Sequence, residues 1–530
     1  MNNQNQYIAS HIVSVLGQLG CKDACISPGA RNAPLIFALE EDRNINTHSV
    51  LDERSSGFFA LGIAKKTENP VILNCTSGTA LGNFFPAIIE ARMSEIPIII
   101  LTADRPKKII KKGENQTIFQ DKFYGKYVLK SLSIEYSENH FAGILEDINK
   151  IYNIAMGIRE GDVMNERGPV HINVHLEDPL SFSSEKSSKE RFDLSSINPI
   201  YKKSEKKEIG KFKKPVIICG QTNLHNHQED IFRLAEALGA PIISDISSNI
   251  TNHENVISFY DHFIDNINPD MIFRFGKKPI SKKINQLINQ NQSSTYLIRK
   301  RAVFNDDANN IISTVDQLLD NLSSSFCKDK NWLEIFKKNQ IKIENSISEN
   351  LEKDRINEYN FAFNLLEFIP EKSNIFIGNS LMIRSFDSYS KRPEKKLSFF
   401  SNRGASGIDG NISTALGIAK ASNETSFLII GDQSFMHDVS ALQLLKDNQS
   451  NLVIFIINNF GGGIFDYLDI SKTVDFKDTY EKFIRCSHTV NFKSIVSSYG
   501  IRYKRLNSIS DLSLITEKGP MIYEILIDGD

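Results

Sequence analysis

Short apolar runs that end in polar or glycine-containing turns recur along the chain and alternate with segments of helical pattern. In the first part of the sequence these runs are residues 24–27, 71–75, 96–101 and 170–174. Uninterrupted apolar runs of this length are typical of parallel strands that are buried on both faces. Because helical patterns such as 56–66 and 80–93 separate the runs, the sequence predicts βαβ units. We therefore predict an α/β fold of doubly wound parallel sheets.

The same alternation predicts three α/β domains. The first covers residues 1–182, and residues 183–213, which are rich in Ser and Lys, indicate a linker. The central domain is expected at 214–350 and the third at 351–530. Strand patterns of the central domain fall at 215–219, 241–244 and 271–275, and a helical pattern falls at 228–238.

The bulk composition is that of an ordinary globular protein. Of the 530 residues, 41% are hydrophobic and 24% are charged, and the formal net charge is −2. These values give no reason to expect a nucleic-acid partner. No apolar run approaches the ~20 residues that cross a bilayer, and residues 1–7 lack the features of a signal peptide. The six cysteines are scattered without a CxxC pair, so we predict a cytoplasmic protein with no membrane span.

Polar residues follow two neighbouring strand patterns of the third domain, at 426–430 and 452–457. Gly431 and Asp432 end the first, and Asn459 and Gly461 follow the second. Ligands bind at the carboxyl-side edge of parallel sheets, where these residues are expected to meet. A carboxylate, an amide oxygen and the Gly461 carbonyl suit Mg²⁺ bound to a diphosphate, with Mn²⁺ as the alternative ion. An isolated Gly-Asp pair is more often a turn in which Asp caps the next helix; Asn459 and its glycines favour the metal site.

A second carboxylate, Glu53, stands at the start of a strongly apolar helical pattern. A glutamate in a first turn is usually only a partner of the helix dipole. In an apolar setting, however, its pKa would be raised and it could share a proton with a ligand nitrogen. Both interpretations of Glu53 remain open on this segment alone.

The spacing from Gly431 and Asp432 to Asn459 resembles the diphosphate-binding signature of thiamine-diphosphate enzymes, although Gln433 stands where Gly is usual. Seven blocks then resemble one family, the 2-succinyl-5-enolpyruvyl-6-hydroxy-3-cyclohexene-1-carboxylate synthases of menaquinone biosynthesis. These blocks, which run in the family's order, are residues 27–35, 52–57, 75–80, 102–106, 114–116, 379–384 and 402–410. The central domain matches this family in pattern only.

The resemblance implies pyrimidine-binding, central and diphosphate-binding domains, with thiamine diphosphate and Mg²⁺ as cofactors. It makes Glu53 the catalytic residue that activates the cofactor, and Asp432, Asn459 and Gly461 the metal ligands. The implied cofactor-binding residues are Thr76, Ser77, Gly78, Ser406, Gly407, Ile408, Gly431, Ser434 and Ile464. It also implies a homodimer or a dimer of dimers with active sites between subunits.

The family decarboxylates 2-oxoglutarate and adds the product by 1,4-addition to isochorismate. Both substrates carry two carboxylates, which planar guanidinium groups bind well. The implied substrate-binding residues are Arg31, Arg105, Gln116, Lys283, Ser380, Arg384, Arg403, Phe465 and Leu468. The match around Lys283 is loose, and Ala30 stands where the family commonly has Ser, so no role is carried over to that position.

Two alternatives remain at this stage. The nearer is another thiamine-dependent decarboxylase or carboligase, such as an acetolactate synthase; these act on singly charged 2-oxo acids, for which four arginines would be excessive. The other is a binding protein that keeps the fold without catalysis. Loss of Glu53 or Asp432 would be expected in such a protein, and both residues are present.

Overall fold

The computed structural model describes residues 4–135, 141–159, 164–181, 209–221, 228–322, 328–329, 331–351, 354–447, 450–472, 477–515 and 518–527. Within them the strands form three sheets of six strands each, and every strand pair is parallel. The predicted α/β fold class is therefore confirmed. None of the described helices is both long enough and apolar enough to cross a lipid bilayer.

The strands are β1 (Asp23–Ile26), β2 (Asn46–Ser49), β3 (Val71–Cys75), β4 (Ile98–Asp104), β5 (Ser131–Glu135), β6 (Val170–His175), β7 (Pro215–Cys219), β8 (Ile242–Ser244), β9 (Val256–Ile257), β10 (Met271–Phe275), β11 (Thr295–Ile298), β12 (Asn310–Ile312), β13 (Asn374–Ile377), β14 (Ser398–Phe400), β15 (Ser426–Gly431), β16 (Leu452–Asn458), β17 (Arg502–Leu506) and β18 (Met521–Leu526). The α-helices are α1 (Gln4–Leu19), α2 (Ala33–Glu41), α3 (Glu53–Thr67), α4 (Ala80–Asn83), α5 (Phe85–Ser94), α6 (Phe141–Ala155), α7 (Gln228–Leu238), α8 (Lys282–Gln290), α9 (Val315–Asp320), α10 (Trp332–Asn350), α11 (Glu358–Phe368), α12 (Leu381–Tyr389), α13 (Asn411–Lys420), α14 (Asp432–His437), α15 (Leu442–Asp447), α16 (Lys477–Tyr480) and α17 (Phe492–Ser498).

Several predicted elements have the bounds that the sequence pattern gave them. The strand patterns at 71–75, 215–219 and 271–275 are β3, β7 and β10, and the helical pattern at 228–238 is α7. These segments are either continuously apolar or strongly amphipathic, and turn residues stand at both ends. Their local sequence pattern therefore fits only one type of element. Most of the predicted linker at 183–213 lies outside the described residues, which resume at Ile209.

Two predicted elements are corrected by the structure, both because of proline. The helical pattern at 80–93 is two helices, α4 and α5, with Phe84 between them and Pro86 in the first turn of α5. Proline lacks the N–H that a continuous helix would need at this point, and its ring clashes with the preceding turn. The strand expected at 96–101 begins only at Ile98, after Pro97, and continues to Asp104.

The chain divides into two compact units, and the first contains residues 1–200, 402–423 and 438–448. Its sheet has the strand order β2-β1-β3-β4-β6-β5. All residues of β3 and β4 are buried, and α1, α2 and α6 contribute to a single apolar cluster with this sheet. Helices on both faces explain why these strands are apolar without alternation.

Helices α3 and α13 pack directly on each other within the first unit. A Cβ on Gly62 would lie 2.1 Å from the Thr414 carbonyl oxygen, and a Cβ on Gly417 would lie 2.1 Å from the Phe59 carbonyl oxygen. No side chain fits at either position, so the two helix backbones are in contact where they cross. Glycine is required at both positions for this approach.

The second unit contains residues 201–401, 424–437 and 449–530, and it holds the other two sheets. The central sheet has the order β12-β11-β10-β7-β8-β9, which places its first strand in the middle as in doubly wound nucleotide-binding folds. The third sheet has the order β14-β13-β15-β16-β18-β17, which repeats that of the first sheet strand for strand. Trp332 at the start of α10 is buried and donates its indole N–H to the Pro215 carbonyl at 2.7 Å.

Candidate active site

Glu53 is the first residue of α3, at the carboxyl end of β2. Asp52 precedes it and caps the helix, because its Oδ1 accepts the backbone N–H groups of Arg54 at 2.9 Å and Ser55 at 3.2 Å. The Oγ of Ser440 donates to the other carboxylate oxygen of Asp52 at 2.9 Å. Glu53 itself is half-buried, with the Asn83 side-chain amide 3.5 Å from Oε2. The cap thus fixes the helix end that carries Glu53.

The turn after β3 presents buried polar groups beside this helix end. The Ser77 side chain is 1% exposed, and its Oγ has no hydrogen-bond partner among the described residues. The backbone N–H of Gly78 donates to Oε1 of Gln120 at 3.0 Å, and Gln116 packs against Gly78. Buried hydroxyls are rarely left without a partner. The orphaned hydroxyl of Ser77 fits the prediction that residues 76–78 contact a cofactor.

Arg31 and Arg105 follow β1 and β4 of the first sheet. The buried Arg31 donates to the Leu176 carbonyl at 3.0 Å and pairs with Asp178 at 3.4 Å. Burial lowers the pKa of Arg31, and the charge of Arg105 lowers it further. The Nε atoms of both arginines are buried without a hydrogen-bond partner among the described residues. Two neighbouring guanidinium groups with unused donors suit an anionic ligand.

The segment 402–410 also belongs to the first unit and carries four predicted site residues. Arg403, Ser406 and Gly407 are half-buried, whereas the Ile408 side chain is 39% exposed. Asn411 donates its side-chain amide to the Ile408 carbonyl at 2.9 Å. A cavity of about 190 Å³ lies against this segment, and its lining residues are Phe58, Pro86, Ile89, Glu90, Asn402, Ala405, Gly407 and Asp409.

In the second unit, the three predicted metal ligands lie in one turn region beyond β15 and β16. Oδ1 of the buried Asp432 accepts the Gln433 N–H at 2.6 Å, and Oδ2 accepts the Gly461 N–H at 3.0 Å. The Asn459 amide nitrogen is 3.4 Å from Glu358 Oε1. Burial raises the pKa of the Asp432 carboxyl, and the two backbone N–H groups oppose that shift. The Gly461 carbonyl accepts the Gly463 N–H at 3.0 Å.

This donor set fits a magnesium diphosphate better than an ion held by protein alone. Among the described residues, no group of three or more His, Cys, Asp and Glu side chains is arranged to hold a metal ion. The turn instead offers one carboxylate, Asp432, beside the neutral oxygens of Asn459 and Gly461. Magnesium is commonly bound by one or two carboxylates together with phosphate oxygens and water. The residues present therefore fit the cofactor that the sequence implied.

The other predicted residues of the second unit take varied positions. Gly431 ends β15, and Ser434 is buried in α14. Ser380 has a φ of 71°, and its carbonyl accepts from the half-buried Arg384 at 2.5 Å. Ile464 and Phe465 are half-buried, and Leu468 is 41% exposed. These residues stay predictions of contact with substrate or cofactor.

Lys283 has partners of its own within the second unit. Its Nζ lies 2.6 Å from the Asp265 carboxylate and 3.0 Å from the Asp261 carbonyl. Its predicted contact with substrate would require it to leave this ion pair.

Sequence reasoning missed residues that the fold brings beside the metal-binding turn. Nε2 of His488 lies 3.2 Å from Asp432 Oδ2, and Glu358 contacts Asn459. Gln433, noted only as a departure from the usual Gly, donates its side-chain amide to the Arg485 carbonyl at 2.8 Å. That carbonyl also accepts the Gly462 N–H at 2.6 Å. His488 and Glu358 lie far from the motif in sequence, so no local pattern could have indicated them.

Three stretches of the chain match models of one enzyme class. Residues 7–123 match the N-terminal TPP binding domain of thiamine pyrophosphate enzymes, residues 193–377 match their middle domain, and residues 377–520 match their C-terminal TPP binding domain. The three parallel sheets and the two sets of strand-end residues agree with this class. The protein is thus a thiamine-pyrophosphate enzyme.

Individual relatives narrow the class further. The chain is 33% identical to the 2-succinyl-5-enolpyruvyl-6-hydroxy-3-cyclohexene-1-carboxylate synthase of Listeria monocytogenes serovar 1/2a, over 98% of this chain and 93% of the relative. The synthase of the same name from Lactococcus lactis subsp. cremoris is 33% identical over 99% and 97%, and that from Lysinibacillus sphaericus is 32% identical over 96% and 92%. The chain belongs to the 2-succinyl-5-enolpyruvyl-6-hydroxy-3-cyclohexene-1-carboxylate synthase family, whose members form carbon–carbon bonds with thiamine diphosphate.

Proposed function

We propose that this enzyme decarboxylates 2-oxoglutarate and adds the resulting succinyl carbanion equivalent to isochorismate by 1,4-addition. The products are 2-succinyl-5-enolpyruvyl-6-hydroxy-3-cyclohexene-1-carboxylate and CO₂, an intermediate step of menaquinone biosynthesis. The observation that carries the proposal is the neighbouring pair of Arg31 and Arg105, whose buried Nε donors lack partners among the described residues. A site with two such cations suits substrates that each carry two carboxylates.

The cofactors proposed are thiamine diphosphate and Mg²⁺, with Mn²⁺ as the alternative ion. When bound, thiamine diphosphate supplies the electron sink that stabilises the carbanion left after loss of CO₂. Asp432, Asn459 and the Gly461 carbonyl would hold the metal ion, because they supply hard oxygen donors in a single turn region. The Ser77 hydroxyl and the turn around Gly78 would contact the organic part of the cofactor.

Glu53 is proposed as the residue that holds a proton at the ring nitrogen of the cofactor's pyrimidine. Glu53 lies at the capped start of α3, so the direction of its carboxylate is fixed. A proton can be shared between two atoms only if they are held in such a defined geometry. Ile464, Phe465 and Leu468 would exclude water where the substrate carboxylate is lost, since an apolar lining favours a step that removes charge.

The remaining polar residues are proposed to orient the substrates. Arg384 and Arg403 would add guanidinium groups to those of Arg31 and Arg105, and Ser380 and Gln116 would add neutral hydrogen bonds. We further propose a homodimer or a dimer of dimers in the cytoplasm. The described cysteines, Cys21, Cys25, Cys75, Cys219 and Cys486, form no disulfide, which agrees with a reducing compartment.

The test is turnover of defined substrates by the purified chain with thiamine diphosphate and Mg²⁺. We expect isochorismate absorbance to fall and CO₂ to be released only when 2-oxoglutarate and isochorismate are both supplied in excess over enzyme. Pyruvate in place of 2-oxoglutarate is the control, because an acetolactate synthase would prefer it. Faster CO₂ release from pyruvate, or no loss of isochorismate, would contradict the proposal.

A further inference from the structure

A buried ion pair in the first unit has no role in the proposed chemistry, although one of its members lines the cavity beside the segment 402–410. Glu90 on α5 is 2% exposed, Lys65 near the end of α3 is 6% exposed, and the carboxylate and ammonium groups are 3.6 Å apart. Buried charges of this kind are costly unless they are paired and hydrogen-bonded. Ser94 on α5 donates its hydroxyl to Glu90 Oε1 at 2.7 Å, and further hydrogen bonds join the pair to the segment 402–410.

We propose that Glu90 and Lys65 are positioning residues that fix the segment 402–410, which we name the clamped loop, and thereby place Arg403 and Ile408 for the reaction. The inference rests on the proposed function, since Arg403 and Ile408 are substrate and cofactor residues only in that function. Neither Glu90 nor Lys65 is expected to touch substrate or cofactor.

The carboxylate of Glu90 holds the backbone of the clamped loop directly. Its Oε1 accepts the Gly404 N–H at 2.9 Å, and its Oε2 accepts the Ala405 N–H at 2.6 Å. Hydrogen bonds from N–H groups to a carboxylate are short and strong. The two amides lie between Arg403 on one side and Ser406 to Ile408 on the other, so the clamp acts in the middle of the predicted site residues.

Lys65 extends the clamp to the start of the loop. Its ammonium group donates to Oδ1 of Asn402 at 2.8 Å, and the Asn402 amide donates to Oγ1 of Thr414 at 3.0 Å. Thr414 donates in turn to the Gly410 carbonyl at 2.7 Å, which lies at the other end of the loop. Hydrogen bonds from Glu90 and Lys65, which are joined by their ion pair, therefore fix both ends and the middle of the clamped loop.

Close packing and an adjacent cavity explain why the loop needs such a clamp. A Cβ on Gly404 would lie 2.6 Å from Ser94 Oγ and 2.7 Å from the Glu90 carbonyl oxygen, so the loop backbone rests directly on α5. The cavity of about 190 Å³ is lined by Glu90 together with Ala405 and Gly407 of the loop. Without the carboxylate, the loop has space into which it could move.

Three variants separate placement of the loop from stability. Glu90→Gln leaves an amide that cannot accept from both backbone N–H groups and deprives the buried Lys65 of its counterion, so we expect a loss of stability. Lys65→Met leaves Glu90 without its ion-pair partner. The double variant Glu90→Gln with Lys65→Met removes both charges, so no buried charge is left without its partner and it should be more stable than either single variant.

The matched control is Glu166→Gln, the same change of carboxylate to amide. Glu166 lies in the first unit and pairs with Arg92 of α5 at 3.8 Å. Its ion-pair partners among the described residues, Arg92 and Arg159, are not part of the clamped loop, and Glu166 has no role in the proposed chemistry.

Two readouts are needed besides urea unfolding. Hydrogen exchange of a peptide covering 402–410 in the cofactor-free protein follows the Gly404 and Ala405 amides. Steady-state kinetics gives kcat and KM for 2-oxoglutarate and isochorismate. We expect the double variant to regain stability, yet to exchange these amides faster and to lose kcat/KM by about 10²-fold, the order expected for a small misplacement of site residues.

The outcomes distinguish this inference from the proposed function. A double variant that regains stability together with wild-type exchange and kcat/KM would overturn the clamp. If the wild-type protein turns over neither substrate, the proposed function fails, and hydrogen exchange alone then tests the role of Glu90 and Lys65. Faster exchange of the loop amides in both variants that carry Glu90→Gln, but not in Glu166→Gln, supports that role. Unchanged exchange in the Glu90→Gln variants overturns it.

Discussion

The first and third sheets have the same strand order, yet the residues at equivalent strand ends have different chemistry. In the first sheet, Glu53 follows β2, the second strand along the chain. In the third sheet, the clamped loop follows the equivalent strand, β14. The Ser77 hydroxyl, which has no partner among the described residues, follows β3 of the first sheet. The buried Asp432 carboxylate follows the equivalent strand β15 of the third sheet. The comparison teaches that topology decides where a site forms, and that a few residues beyond the strands decide what it binds.

The electrostatic difference between the two sheets is equally clear. The first gathers cations, because Arg31 and Arg105 are close enough for the charge of Arg105 to lower the pKa of Arg31. The third gathers oxygen ligands and backbone N–H groups around Asp432. An anionic substrate suits the first arrangement and a metal-bound diphosphate suits the second, so variants on the two sheets should fail in different ways.

The largest effect is expected on the first sheet, from Glu53→Gln. An amide cannot exchange the proton that the carboxylate is proposed to hold, so CO₂ release should fall by about 10²- to 10⁴-fold. Calorimetric titration should find thiamine diphosphate and Mg²⁺ still bound. Retained turnover would refute the role of Glu53.

On the third sheet, Asp432→Asn should give the opposite pattern, a loss of binding before any effect on chemistry. Removal of the carboxylate should weaken Mg²⁺-dependent binding of thiamine diphosphate by about tenfold or more, since the metal loses its charged protein ligand. Asp469→Asn, which alters an exposed ion pair with Lys472, is the control. If the wild-type, Asp432→Asn and Asp469→Asn proteins bind thiamine diphosphate with equal affinity, Asp432 is not the metal ligand proposed here.

A buried acid of the first unit offers a pH test. Burial raises the pKa of the Asp438 carboxyl from 3.8 to about 7, against the hydrogen bonds from Ser413, which lower it. The folded state thus binds this proton more tightly than the unfolded chain, so the contribution to stability falls as pH rises from about 4 to about 7. The stability of wild type relative to Asp438→Asn should decrease over that range by on the order of 3 kcal/mol.

Urea unfolding of both proteins at several pH values measures this difference. The asparagine side chain of the Asp438→Asn variant does not titrate, so the pH dependence of the difference comes from the Asp438 carboxyl together with its hydrogen bonds from Ser413. A difference that does not vary with pH would contradict the raised pKa of Asp438.

Helices α3 and α13, which follow equivalent strands of the first and third sheets, should be destabilised equally by alanine at their contact glycines. Gly62→Ala on α3 and Gly417→Ala on α13 each place a Cβ 2.1 Å from a carbonyl oxygen of the other helix. We expect each to reduce the free energy of unfolding by about 1–3 kcal/mol. Gly143→Ala on α6 is the control, because its Cβ meets nothing within 4 Å and alanine favours helix. A neutral Gly62→Ala would mean that the helices separate easily.

The smallest effect is expected from Gln433→Ala on the third sheet. It removes the hydrogen bond to the Arg485 carbonyl, which also accepts from Gly462, and should cost about 0.5–1.5 kcal/mol of unfolding free energy. The affinity for Mg²⁺ should fall slightly, because Gly461 lies in the same turn. A gain in either quantity would show that Gln433 strains the turn.

The strands that form the two sheets and the residues at their ends were largely predictable, whereas the edge strands were not. β3 is continuously apolar and buried, so its local pattern has one interpretation. β2 and β17 lie at sheet edges and carry mostly polar or charged residues, with three of the five residues of β17 exposed. They are strands because neighbouring strands supply their hydrogen bonds, which no local pattern records.

The site shows the same division. The positions of Glu53 and Asp432 at the starts of helices were predictable because each lies next to a strong strand or helix signal, whereas their roles stay predictions. His488 and Glu90 were not, because each reaches its partner only through long-range packing. Lys283 was chosen from a loose match, and its ion pair with Asp265 could not be read from sequence.

The single tryptophan of the sequence is a fluorescence probe of one sheet. Trp332 is buried against the central sheet, with its indole N–H on the Pro215 carbonyl and its ring 5.2 Å from that of Phe336. Intrinsic fluorescence therefore follows the melting of the central sheet, while circular dichroism follows all three. Transition midpoints that separate between the two probes would report how independently the central sheet unfolds from the sheets that bear the candidate site.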